Sequence, residues 1–133
     1  MTFEFEYPDN LRYTESHEYV RLEGEIATIG ISSFAIRELG DIVFFELPKV
    51  GDTIVAGEPI GTVESVKAVA ELYAPVSGTV TAQHGDVVDD PALVMDDPYD
   101  DGWLFQVRVD NPDTALAGTL GAGEYRARVE GEG

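Results

Sequence analysis

The stretch "GTVESVKAVAELYAPVSGTV", residues 61–80, holds one of only two lysines in a chain of 133 residues that carries 26 acids. Short apolar and β-branched runs flank Ser65-Val66-Lys67-Ala68, with Pro75 and Gly78 downstream. The pattern predicts a hairpin whose arms are 60–64 and 70–73 and whose turn is 65–68. The Asn-Gly or Asp-Gly pair that usually closes a two-residue hairpin is missing. A tip built from Ser, Val, Lys and Ala exposes Val66 and Ala68 with no folding gain. Most lysines are idle, solvated surface groups. Lys67 stands apart from them because lysine is otherwise confined to Lys49, and because its small neighbours leave the ε-amine open. It reads as an attachment point. Converting it to an amide removes one cation and takes the formal charge from −18 to −19.

The composition narrows the possible functions. A charge of −18 spread along the chain repels phosphate backbones and anionic lipid, which argues against nucleic acid and membrane as partners. Abundant acids, six arginines and two lysines suggest a halophilic cytosol in which screening relieves self-repulsion. The chain has no cysteine, hence no disulfide or thiolate chemistry of its own, and its two histidines make a His-rich metal site unexpected. The acid pairs Asp89-Asp90, Asp96-Asp97 and Asp100-Asp101 lack the alternating ligands of a calcium loop and read as solvated surface. The N-terminal "MTFEFEYPDN" has neither signal-peptide nor transit-peptide character, so a cytoplasmic protein is expected.

Working outward, 18–32 alternates about Glu23-Gly24-Glu25 as a second hairpin. "SSFAIRELGD" offers Ser32 or Ser33 as a cap and Gly40 as a stop, which predicts a short helix near 33–39. Residues 41–48 read as a strand ended by Pro48, and 101–110 as another. From 50 to 94 short strands cut by Gly and Pro are expected. Within them "GDTIVAGEPI" from Gly51 is echoed faintly by "GDVVDDPAL" from Gly85, as if two half-units packed together. Asn111 as a cap and Pro112 in a first turn open a C-terminal segment, 111–133, of short helices broken by Gly118, Gly121 and Gly123.

Gly51, sixteen residues before Lys67, and Gly78, eleven after it, frame the lysine as in the lipoyl and biotinyl carrier domains, which the stretch resembles. Biotinyl carriers usually flank the lysine with Met, and Val66 and Ala68 favour lipoyl. "YTESHEYVRLEGEIATIGIS", "ELGDIVFFELPKVGD", "VESVKAVAELYAPVSGTV" and "DDPALVMDDPYDDGW" together resemble the H-protein family of the glycine cleavage system, in register from about Tyr13 to Tyr125. The sequence departs from that family's usual pattern with His84 and Met95 in place of Asn, and Tyr19 where Trp is frequent.

The resemblance implies a mainly β fold, a lipoyl-type barrel-sandwich hybrid of two small sheets with quasi-two-fold halves. It implies one domain over 1–133, with an N-terminal extension at 1–12 and the acceptor hairpin in a core at 42–94. Lipoate would be carried as an amide on Lys67. The carrier, without an active site, would take the aminomethyl group of glycine from a pyridoxal-phosphate decarboxylase to a folate-dependent aminomethyltransferase, and a dihydrolipoyl dehydrogenase would reoxidise it. A lipoate-attaching enzyme would be a further partner, with Glu64, Ser65, Val66 and Ala68 expected as its recognition residues at the tip, or Glu64 instead shaping the hairpin. A monomer suits a carrier that visits several enzymes.

"SHEY" at 16–19 is the second candidate site. Ordinarily such residues form a solvated loop and strand start. The family pattern favours Glu18, with Ser16 and His17, as the docking cleft for a loaded arm, because a carboxylate can pair a protonated amine. Glu71 is a further candidate from the returning arm. The remaining alternatives are a lipoate relay to other complexes, a biotinyl carrier of a carboxylase, and an unmodified β module in which Lys67 is idle.

Overall fold

The computed structural model describes residues 7–132. Nine strands and four helices follow in the order β1 (Arg12–Tyr13), β2 (Glu18–Glu23), β3 (Ile26–Ile31), α1 (Ser33–Leu39), β4 (Ile42–Glu46), β5 (Thr53–Ile54), β6 (Pro59–Ser65), β7 (Val69–Tyr73), β8 (Gly78–Gln83), α2 (Gly85–Asp89), α3 (Ala92–Asp96), β9 (Phe105–Val109) and α4 (Ala122–Glu132). They form a six-stranded sheet, β1-β2-β3-β9-β8-β5, and a three-stranded sheet, β4-β6-β7. Every pairing is antiparallel. The fold is mainly β with two sheets, as the sequence implies.

The core lies between the sheets. Val20, Ile29, Phe45, Val63, Leu72, Val80 and Val107 are buried in one cluster. In the β6–β7 hairpin Val63 opposes Ala70 and points inward, while Glu64 opposes Val69 and points out. A second cluster, Tyr7, Tyr13, Tyr19, Phe34, Tyr99, Tyr125 and Val129, gathers α1 and α4 against β1 and β2. Tyr13 and Tyr125 stack at 4.6 Å between ring centroids.

Two expectations need correction. The 85–94 stretch is not strand: α2 and α3 occupy it, because Val87 and Val94, both fully buried, face the core from helical turns. Gly85-Asp86-Val87-Val88 therefore does not repeat the strand at 53–54, where β5 pairs with β8. At the C-terminus Asn111 does cap locally, its Oδ1 accepting from Asp113 N at 3.1 Å, but successive turns follow instead of a helix. The helix comes later and runs eleven residues through Gly123 and Gly131. Ala122, Tyr125 and Val129, spaced to share one face, bury against the aromatic cluster, and that packing outweighs the poor helix propensity of glycine. The expected α1 forms as read: Ser32 is its N-cap and Gly40, at φ 77°, its C-cap.

Candidate functional site

The hairpin that carries Lys67 is built from β6 and β7, with Ser65 closing the first arm. Ser65 is the fastening of the tip. Its backbone N–H donates to Ala68 O at 2.8 Å, and its buried hydroxyl accepts from Lys67 N at 3.3 Å and Ala68 N at 3.1 Å. Val66 N donates to Asp41 O at 3.0 Å, tying the tip to the start of β4. These bonds supply what an Asn-Gly turn would otherwise provide. Lys67 stands exposed on the tip, and Val66 beside it is 71% exposed. The lysine stem crosses the end of α1, with Cε 3.8 Å from where a Cβ on Gly40 would sit.

Glu64 is exposed and lies in a cross-strand row with Phe44 and Val69. Phe44 is 48% exposed, a residue the sequence reading passed over. Its signal was the Phe44-Phe45 pair inside a strand, since alternation sends one of the two rings outward.

The second candidate site lies where the turn before β2 meets the end of β7. Glu18 is only 2% exposed. Its Oε1 accepts from Thr14 Oγ1 at 2.7 Å and Ser16 Oγ at 2.5 Å, and its Oε2 from Tyr73 N at 3.2 Å. Burial raises its pKa, while the two hydroxyls and the Tyr73 amide pull it back by favouring the carboxylate. Thr14 and Tyr73 were missing from the sequence reading, although "TESHE" shows two hydroxyls within four residues of the acid. Beside this cage opens a cavity of about 610 Å³ lined by Thr14, Ser16, Tyr73, Pro75 and Gly118 among others. Six residues along the hairpin separate Lys67 from Tyr73, roughly 20 Å of extended chain.

Of the residues read from the sequence, Ser16 lines that cavity and Glu18 sits behind it, bonded to its walls. His17 is not in the lining; its ring packs on Phe34 at 4.7 Å and its Nδ1 meets Tyr125 Oη at 2.8 Å. Glu71 is exposed and accepts from Tyr73 Oη at 2.9 Å, a bond that raises the phenol's pKa. Gly78 has a packing reason for its identity and Gly51 a backbone one: a Cβ on Gly78 would sit 2.1 Å from Arg108 O, whereas Gly51 has φ 96° and open space around it.

An exposed, braced lysine on a hairpin, in a two-sheet β domain, is the arrangement of a swinging-arm carrier. The sequence profile described as glycine cleavage H-protein matches residues 11–132. The chain belongs to the glycine cleavage H-protein family. Members are the lipoyl carriers of that system, and the chain is a carrier subunit of it, not a catalyst. Among its relatives, a glycine cleavage system H protein of Microcystis aeruginosa is 62% identical over 129 residues, covering 97% of this chain and 98% of that protein. One from Gloeothece citriformis is 63% identical over 129 residues, with the same coverage. The crystal structure of a glycine cleavage system H protein from Mycobacterium marinum superposes with a TM-score of 0.86 at 40% identity, covering 93% of this chain and 99% of that one.

At two of the positions read as departures from the H-protein pattern, the side chains are packed into the fold. His84 stacks on Trp103 at 4.2 Å, with Nδ1 2.5 Å from Trp103 O. Tyr19, fully buried, donates its hydroxyl to Pro98 O at 2.6 Å. Among the described residues no helix is long and apolar enough to cross a membrane.

Proposed function

We propose that Lys67 is the residue of this H protein that carries lipoate, through an amide between its Nζ and the lipoyl carboxyl. The observation that carries the reading is the exposed lysine on a tip immobilised by Ser65, with Val66 and Ala68 too small to obstruct an approaching enzyme. When bound, the lipoyl group supplies a strained cyclic disulfide that serves as both oxidant and aminomethyl acceptor. Glu64, Ser65, Val66 and Ala68 present the tip to the lipoate-attaching enzyme. The carrier works as a cytoplasmic monomer and visits glycine decarboxylase, the aminomethyltransferase and dihydrolipoyl dehydrogenase in turn.

The chain's own residues act after loading. A protonated amine entering the 610 Å³ cavity finds the Ser16 hydroxyl at its wall and the Glu18 carboxylate behind it. Pairing with Glu18 offsets part of the desolvation that burial imposes on that carboxylate. Glu71, through Tyr73, borders the same wall.

Intact mass after incubation with a lipoate-attaching enzyme tests the first step. A single lipoyl increment that disappears in Lys67→Arg is expected. No increment, or one that persists in Lys67→Arg, sinks the assignment. For the cavity, Glu18→Gln is expected to speed non-enzymatic loss of the aminomethyl group from the loaded carrier by about tenfold, as loss of a charged hydrogen bond implies. Complementation with the decarboxylase and aminomethyltransferase separates glycine cleavage from a relay that only passes lipoate on.

A further inference from the structure

The turn that presents Ser16 and Glu18 to the cavity is gripped by the C-terminal helix. His17 has φ 75°, a left-handed backbone uncommon for any residue but glycine. Its N–H donates to Thr14 O at 3.0 Å and its carbonyl accepts from Ser32 N at 2.9 Å. Its ring lies between Phe34 of α1 and Tyr125 of α4. One turn further along α4, Arg128 reaches Glu15 at 2.6 Å. Two neighbouring residues of one loop are thus held by two side chains of one helix.

The Tyr125 hydroxyl also ties the turn to the cap of α1. Ser32 Oγ accepts from Ala35 N at 3.3 Å as the cap of α1, and lies 2.6 Å from Tyr125 Oη. Tyr125 Oη lies 2.8 Å from His17 Nδ1.

We infer that His17 is a positioning residue: its left-handed backbone, locked by the Tyr125 hydroxyl and the Phe34 ring, sets the 14–18 turn so that the Thr14 and Ser16 hydroxyls converge on Glu18 Oε1. The two hydroxyls come from residues on the His17 side of a tight loop, 3.3 Å from one another, and both must aim at one oxygen. A turn free to relax to negative φ at residue 17 would part them. His17 does not itself line the cavity, so its effect on the arm is exerted through the residues it holds, Thr14, Ser16 and Glu18. The functional consequence rests on the role proposed above for Glu18, but the positioning can be measured without it. Charged groups near the turn include Glu15, held by Arg128, and Glu71, bonded to Tyr73.

The test uses the full chain with Tyr125→Phe, which deletes one hydroxyl, His17→Ala, which deletes the ring and keeps the backbone penalty, and His17→Gly, which deletes both. The Glu18 carboxyl is titrated by carbon-13 NMR in the unloaded carrier, and aminomethyl loss is timed in the loaded one. Tyr125→Phe and His17→Ala are expected to move the Glu18 titration to higher pH, because the hydroxyls that favour its ionised form drift away. They should also raise the loss rate about threefold to tenfold, the range set by one buried hydrogen bond. His17→Gly should fall between His17→Ala and the parent. A Glu18 titration unmoved in Tyr125→Phe and His17→Ala overturns the inference, even if both variants melt earlier. A titration that moves while the loss rate stays constant supports the positioning and removes Glu18 from arm protection.

Discussion

Glu18 is a carboxylate sealed behind two hydroxyls and an amide, and this arrangement has a consequence for stability as well as for binding. Burial lifts its pKa above the ordinary carboxyl value of 4.5. A carboxyl that is harder to ionise in the folded chain than in the unfolded one makes the native state hold its proton more tightly. Its contribution to stability is therefore complete below 4.5 and declines as pH rises through the folded value. Gln at the same position cannot titrate. The melting temperature of the parent minus that of Glu18→Gln should be greatest on the acid side and shrink toward neutrality. Calorimetry of both across that range checks it, and a difference independent of pH would show that Glu18 is not perturbed. Lys67, whose identity the sequence singled out, needed no burial to be noticed: its rarity and its small neighbours were enough. Glu18 was visible only as an acid in a suggestive string, because the two features that define it, Tyr73 N and enclosure, come from a strand 55 residues away.

Among the elements, those whose signals are local were legible. The β2–β3 and β6–β7 hairpins and α1 with its Ser32 and Gly40 caps follow from alternation and end residues. The elements that misread are those decided by partners distant in sequence. α2 looked like a strand because Val87-Val88 is β-branched, yet Val87 is needed at the core on a helical turn; α4 looked broken by glycine, yet Tyr125 and Val129 anchor it. The two framing glycines separate these kinds of cause. In β8, Gly78 lies between β5 and β9, and a methyl there would press on Arg108 O at 2.1 Å and Val107 Cγ1 at 2.8 Å. Neither sheet neighbour can retreat without losing its ladder, so Gly78→Ala should cost about 3 kcal/mol. Gly51→Ala meets no atom within 4 Å and pays only for φ 96°, about 1–2 kcal/mol. Urea unfolding of the two variants should therefore rank Gly78→Ala well below Gly51→Ala. The reverse order would mean that the sheet yields more readily than the loop.

At the scale of the whole molecule the balance is electrostatic. Twenty-six acids are set against eight cations for a formal charge of −18, and the acylation proposed at Lys67 would remove one of those cations. The ion pairs Arg21–Glu23, Arg126–Glu130 and Arg128–Glu15 all involve side chains at least partly open to water, where each contributes little. Like charges meet on the outer face of the three-stranded sheet, where Glu46 and Glu71 flank Thr62. The native state concentrates this charge in a small volume and the unfolded chain disperses it, so repulsion weakens the fold whenever screening is poor. Raising salt from dilute buffer to 1 M shortens the screening length from beyond 10 Å to about 3 Å, below the spacing of most surface acids. The melting temperature should climb steeply over that interval and then level off. Each 1 kcal/mol of relieved repulsion is worth about 4 °C in a domain of this size. The fully acylated form, with one cation fewer at the tip, should show the slightly steeper dependence. Thermal melts in a chloride series, run on both forms, provide the measurement. A melting temperature that stays level from dilute buffer upward would show that the acids are already far enough apart in water, and the case for a salt-adapted surface would fall with it.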